Sequence, residues 1–145
     1  MKTLFNKICI ASDHAGFSIK EYIKDHLIKH NISIIDLGPK KNISVDYPDF
    51  AKKVASRIKY KKSSVGILIC GSGTGMAISA NKTKEVRAAV CYNKSSTRLS
   101  RQHNNANIIC LGSRMLKKKD AINFISFFLS TRFDAGRHQK RINKI

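Results

Sequence analysis

Apolar residues recur along the chain in five short, nearly unbroken runs. These are Ile8-Cys9-Ile10-Ala11, Ile32-Ser33-Ile34-Ile35, Val65-Gly66-Ile67-Leu68-Ile69, Arg87-Ala88-Ala89-Val90-Cys91 and Asn107-Ile108-Ile109-Cys110-Leu111. Most are continuously apolar rather than alternating, the pattern of strands buried on both faces in a parallel sheet. Between the runs the apolar positions change period. Ile19, Ile23 and Leu27 follow the first run at helical spacing, and Phe50, Val54 and Ile58 follow the second, with Pro48 suited to a first helical turn. A short helical segment is expected from Thr74 to Asn81, another from Asn93 to His103, and a longer one around Ala121, Ile125, Phe128 and Leu129. Strand and helix alternate throughout, so the fold class is α/β with a five-stranded parallel sheet and right-handed crossovers.

The 145 residues suit one domain spanning 1–145. No Gly/Ser linker or repeat interrupts them, and a polar, basic segment closes the chain at about 134–145. In sheets of this kind ligands bind beyond the carboxyl ends of the strands. Attention therefore falls on Ser12-Asp13-His14, the 70–75 loop, Tyr92-Asn93 and Gly112-Ser113-Arg114.

Charge adds one fact to this picture. Lys and Arg number 28 against 9 Asp and Glu, a formal net charge of +19. An anionic partner would fit: nucleic acid, an acidic membrane or a phosphorylated small molecule. Yet Lys40-Lys41, Lys52-Lys53, the run at 59–62 and Lys117-Lys118-Lys119 are scattered, as solvated faces are. No helix-turn-helix, zinc-finger or aromatic RNA-binding pattern accompanies them, and Trp is absent. Nucleic acid is thus the least favoured partner. Cys9, Cys70, Cys91 and Cys110 form no C-x-x-C pair, and three of them lie within apolar runs. The first residues lack the apolar core of a leader, and no stretch is long enough to span a bilayer. A reducing, cytoplasmic setting is the expectation.

Gly71-Ser72-Gly73-Thr74-Gly75 joins a buried strand to a helix. Such a turn aims successive N–H groups at an anion, helped by the start of the helix. It is not a Walker A loop, which needs Gly-Lys-Ser/Thr where Gly75-Met76-Ala77 stands, nor a dinucleotide fingerprint, and no acidic residue closes the next strand to hold a ribose. Cys70 immediately precedes the loop. Amides and a helix start favour negative charge on a thiol placed there, which suits a nucleophile or general base. A buried strand-end cysteine without chemistry is the competing reading, and the loop alone leaves both open. His14 and His103 stand beside polar residues, whereas His26 and His30 fall on the first helix and read as structural. Arg114, Arg137 and Arg141 are candidates for a phosphate grip, because guanidinium forks match phosphate oxygens. Arg137 and Arg141 are four apart and share a face if the tail is helical.

Six motifs occur in order: Ser12-Asp13-His14-Ala15-Gly16-Phe17, Asp46-Tyr47-Pro48, Cys70-Gly71-Ser72-Gly73-Thr74-Gly75, Ser100-Arg101-Gln102-His103-Asn104, Gly112-Ser113-Arg114 and Gly136-Arg137-His138-Gln139-Lys140-Arg141. Together they resemble the type B ribose-5-phosphate isomerases, in the family shared with galactose- and allose-6-phosphate isomerases. The resemblance covers nearly the whole chain. It implies a single Rossmann-like three-layer α/β/α domain and an aldose–ketose isomerase of the non-oxidative pentose phosphate pathway. It also implies no metal and no organic cofactor, and at least a homodimer, or a dimer of dimers, whose active site is shared between subunits.

Carried onto this chain, the resemblance makes Cys70 the base that moves a proton between C1 and C2 through an enediolate. The amides of Gly71, Ser72, Gly73, Thr74 and Gly75 become its oxyanion hole, with Ser72 near the reacting oxygens. His103 becomes the acid/base for opening the sugar ring, Asp13 and Asn104 hold hydroxyls, and His14, Arg114, Arg137 and Arg141 hold the phosphate. The His103–Asn104 segment is expected to come from the neighbouring subunit. One branch of the family uses a Glu just after the glycine loop; Met76 stands there, so this chain is similar to the cysteine branch. Ser72 replaces the Thr common in that branch and keeps the hydroxyl. The alternative substrate is a hexose 6-phosphate such as allose or galactose 6-phosphate. The lysine surplus is not a family feature.

Overall fold

The computed structural model describes residues 1–59 and 63–145, and part of the lysine run at 59–62 lies outside them. Five strands form one sheet: β1 (Lys7–Ser12), β2 (Ile34–Asp36), β3 (Ser64–Cys70), β4 (Ala88–Val90) and β5 (Ile108–Gly112). Their order is β2-β1-β3-β5-β4, and every neighbouring pair is parallel. The helices are α1 (Phe17–Lys29), α2 (Tyr47–Ile58), α3 (Thr74–Ala80), α4 (Lys94–Gln102), α5 (Lys118–Ser130) and α6 (Arg137–Ile142).

Alternate residues of the inner strands feed two apolar layers. Ile8, Ile10, Ile67, Ile69, Ile109 and Leu111 pack with Ile19, Ile23, Leu27, Ile125 and Phe128 of α1 and α5. Cys9, Ala11, Leu68, Cys70, Ile108 and Cys110 pack with Phe50, Val54, Ile58 and Met76 of α2 and α3. The result is the expected three-layer α/β/α domain. β1 leads to a helix on one face and β3 to a helix on the other. The two connections diverge and leave a crevice between adjacent strand ends, the place where α/β sheets bind ligands.

Two strands are shorter than the apolar runs predicted. The second begins at Ile34, not Ile32. Asn31 takes a positive φ of 57° just after α1, and the Ile32 amide donates to Leu27 O at 3.0 Å, so Ile32 is buried as part of the helix end. The fourth spans only Ala88–Val90. Both are edge strands, half-buried rather than enclosed on two faces. The basic tail is helical at Arg137–Ile142, and it is tied to the end of α4 by a hydrogen bond from the Asp134 amide to Gln102 O at 3.0 Å. Among the described residues, no helix is long and apolar enough to cross a membrane.

Candidate active site

The crevice is built by parallel register. Ser12 pairs with Ile69, so Asp13 and Cys70 leave neighbouring strands side by side. The Asp13 amide donates to Ile69 O at 3.1 Å, and Asp13 Oδ1 accepts from the Gly16 amide at 2.9 Å. This turns the carboxylate back over the start of α1 and fixes it in a buried position.

Cys70 is only 5% exposed. Its sulfur accepts a hydrogen bond from the Gly73 amide at 3.1 Å. That contact requires the chain to fold back within three residues. Gly73 does so with a φ of +82°, lying so close to β5 that an added Cβ would stand 3.1 Å from Leu111 C. The Thr74 amide is met by Ser72 Oγ at 3.3 Å, and α3 begins at Thr74. The N–H groups of its first turn have no acceptor within the helix. Ser72 and Thr74 are exposed, so the loop offers its polar side outward while Cys70 stays beneath it.

Arg114 and His14 are two of the basic groups at this end of the sheet. The Arg114 guanidinium lies over Gly71, where a Cβ would sit 2.9 Å from its Nη1. His14 is exposed, and its Nδ1 takes a long contact of 3.5 Å from the Val45 amide. Both line a groove with Ser18, Ser113 and Lys117. Tyr47, at the start of α2, reaches the same loop: a Cβ on Gly75 would stand 2.7 Å from its ring. Its motif was visible in the sequence, but no spacing rule ties a tyrosine on one helix to a glycine on another. Met76 is fully buried in the α2–α3 layer, so no acidic base stands there.

The remaining predicted residues are elsewhere. A right-handed crossover makes α4 run against the strands, which carries His103 and Asn104 to the amino end of the sheet. Arg87 Nε donates to the Asn104 carbonyl at 3.0 Å, just before β4 begins. Arg137 and Arg141 sit exposed on α6 in the same region. The length of β3, on the order of 20 Å from strand rise, separates this end from Cys70. One chain therefore gathers Cys70, the glycine loop, Asp13, His14 and Arg114 at one end, and His103, Asn104, Arg137 and Arg141 at the other. The expected phosphate grip is split in the same way.

A further residue joins the second group. His138 is 8% exposed, and its ring stacks on that of His103 with centroids 4.2 Å apart and planes within 10°. Burial, then the neighbouring charges of His103, Arg137 and Arg141, lower its pKa from the usual histidine value, with Asp134 opposing them. Burial pushes the thiols of Cys91 and Cys110 up, which leaves them inert packing groups.

The family model described as ribose/galactose isomerase matches residues 8–145. The chain is 39% identical to ribose-5-phosphate isomerase B of Escherichia coli over 96% of its own length and 93% of that protein's. Its fold matches the crystal structure of a ribose 5-phosphate isomerase from Thermotoga maritima with a TM-score of 0.92, at 48% identity and 95% coverage of both chains. It also matches ribose-5-phosphate isomerase B of Mycoplasma genitalium with bound ribulose-5-phosphate, with a TM-score of 0.92, at 44% identity over 95% of this chain and 92% of that one. Agreement in sequence, fold and length extends over almost the entire chain, and it belongs to the ribose/galactose isomerase family.

Proposed function

We propose that this protein interconverts D-ribose 5-phosphate and D-ribulose 5-phosphate in sites that two chains build jointly. The observation that carries the chemistry is the Gly73 amide held on the Cys70 sulfur, under a glycine loop at the switch point of the sheet. A pentose phosphate as substrate is supported by the Mycoplasma genitalium relative, whose crystal structure contains ribulose-5-phosphate.

In this reading His103 takes the proton from the anomeric hydroxyl and returns one to the ring oxygen, opening the furanose to the aldehyde. The Cys70 thiolate then removes the proton on C2. The electron pair left behind forms the C1–C2 double bond of an enediolate, whose charge rests on oxygen. Amides of Gly71 to Gly75 stabilise that charge, and Ser72 stands beside the reacting oxygens. The same thiol returns its proton to C1, and transfer of a hydroxyl proton between O1 and O2 completes the ketose. Asp13 and Asn104 hold sugar hydroxyls. His14 and Arg114 grip the phosphate from one side, and Arg137 and Arg141 from the other.

Two chains are needed because the groups stand at opposite ends of one sheet. A symmetric pair brings the amino end of one subunit to the carboxyl end of the other, twice. Exposed Leu99 supports this pairing: it lies one helical turn before His103, on the same face of α4. Exposed Ile78, Tyr92 and Met115 belong to the same half of the chain. All four cysteines are buried and form no disulfide among the described residues, which suits a reducing, cytoplasmic setting.

The test is a side-by-side isomerase assay on ribose 5-phosphate and allose 6-phosphate. Turnover of the pentose is expected, with Cys70→Ala folded but inactive. A fully active Cys70→Ala would overturn the base assignment, and a preference for the hexose would move the substrate to the six-carbon members of the family.

A further inference from the structure

The stacked pair His103–His138 has no role in the steps above beyond His103 itself. His103 caps the last turn of α4, its amide donating to Leu99 O at 2.9 Å, and it is half-buried. Such a side chain has two free torsions and no hydrogen bond among the described contacts to hold its ring. The flat face of His138 lies against it at 4.2 Å, nearly parallel. His138 is itself fixed. It is buried, it sits in α6, and its amide donates to Ala135 O at 3.0 Å in the turn that starts that helix. The tail holding α6 is in turn bound to Gln102, the residue before His103.

We infer that His138 is a positioning residue: its stacked ring fixes the plane of the His103 imidazole so that His103 can open and close the sugar ring. This rests on the proposed isomerase reading. The charged and titratable groups facing His138 are His103 from α4, Arg137 and Arg141 from its own helix, and Asp134 from the preceding loop. Cations outnumber the one carboxylate, so this environment disfavours a positive charge on the His138 ring.

The role separates from that of Cys70 in one measurable way. Ribulose 5-phosphate is open-chain, because its 5-hydroxyl is phosphorylated and cannot close on the ketone. Exchange of its C1 hydrogen with solvent deuterium therefore needs only the base and the oxyanion hole, whereas isomerisation of ribose 5-phosphate also needs ring opening. The experiment measures both rates in wild type, His138→Ala and His138→Phe. In His138→Ala, ribose 5-phosphate isomerisation should fall by about tenfold to a hundredfold, the cost of misplacing a catalytic group, while C1 exchange stays within about twofold. His138→Phe keeps a flat ring without a titratable nitrogen and should recover most of the isomerisation.

Unchanged isomerisation in His138→Ala would overturn the proposal. So would equal losses in the Ala and Phe variants, because the flat ring would then not be what matters. A parallel fall in exchange and isomerisation with a raised KM would also overturn it, pointing to a direct contact with substrate or to lost structure. Absence of both activities in wild type would instead sink the isomerase reading.

Discussion

The Cys70 sulfur and the Gly73 amide are joined by a 3.1 Å hydrogen bond that exists only because Gly73 takes a left-handed conformation. Gly73→Ala places a Cβ 3.1 Å from Leu111 C at a φ of +82°. The strain is about 1–3 kcal/mol. Moving the loop relieves it, and the amide leaves the sulfur. The expected outcome is a fall in kcat of about tenfold to a hundredfold, far beyond what a modest loss in Tm explains. Full activity with a lowered Tm would show that the bond does not matter to catalysis.

The separation of Cys70 from His103 predicts complementation between chains. Cys70→Ala and His103→Ala are each expected to be inactive alone. Mixed and refolded together, they form pairs in which one site carries both native groups. With random pairing, activity should return to about one quarter of wild type, since half the dimers hold one intact site of two. Assay after subunit exchange checks this, and no recovery would place both residues in a site within one chain.

Acid stability should depend on Asp36. Burial works to raise its pKa, but hydrogen bonds from Lys24 and Lys20 and from the Gly38 amide prevail and lower it from 3.8 to about 2. The Lys20 ammonium is fully buried and lies 2.9 Å from the carboxylate. A depressed carboxylate stabilises the fold at pH above its unfolded pKa and loses that effect as pH falls through its folded one. After allowance for solvent screening the contribution is about 1–2 kcal/mol. Urea midpoints of wild type and Asp36→Asn should therefore differ at pH 7 and converge between about pH 4 and 2. A difference independent of pH would contradict the assignment.

Net charge of +19 should act on encounter with a doubly charged sugar phosphate. Catalytic efficiency is expected to fall as ionic strength rises, through KM rather than kcat, because screening weakens long-range attraction. A flat response between low and physiological salt would leave the lysines with no part in steering.

Periodicity in the sequence was enough to place all five strands and the main helices. Unbroken apolar runs of strand length suit enclosed parallel strands, and the four-residue spacing of Ile19, Ile23 and Leu27, with Glu21 and Asp25 between them, suits a helix face. The strand edges are not legible in this way, because an apolar run such as Ile32–Ile35 looks the same whether its first residue joins a strand or closes a helix. Only the packing of Ile32 against the end of α1 separates the two. The glycine loop and its cysteine were legible locally, since a strand–turn–helix junction with three glycines in five residues is written in consecutive positions.

Other parts of the site depend on distance through space, which no local pattern encodes. Tyr47 meets Gly75, and Arg114 meets Gly71, through contacts between separate elements. The stack of His103 on His138 joins residues far apart in the chain through the docking of α6 on α4. Most of all, the chain order of the motifs gives no sign that Cys70 and His103 face opposite ends of the sheet. The sequence by itself determined which groups are present and the chemistry they can perform. Which of them share one end of the molecule was decided by strand direction and crossover hand, because a helix that returns antiparallel carries its last residue away from the strand ends where the loop is built.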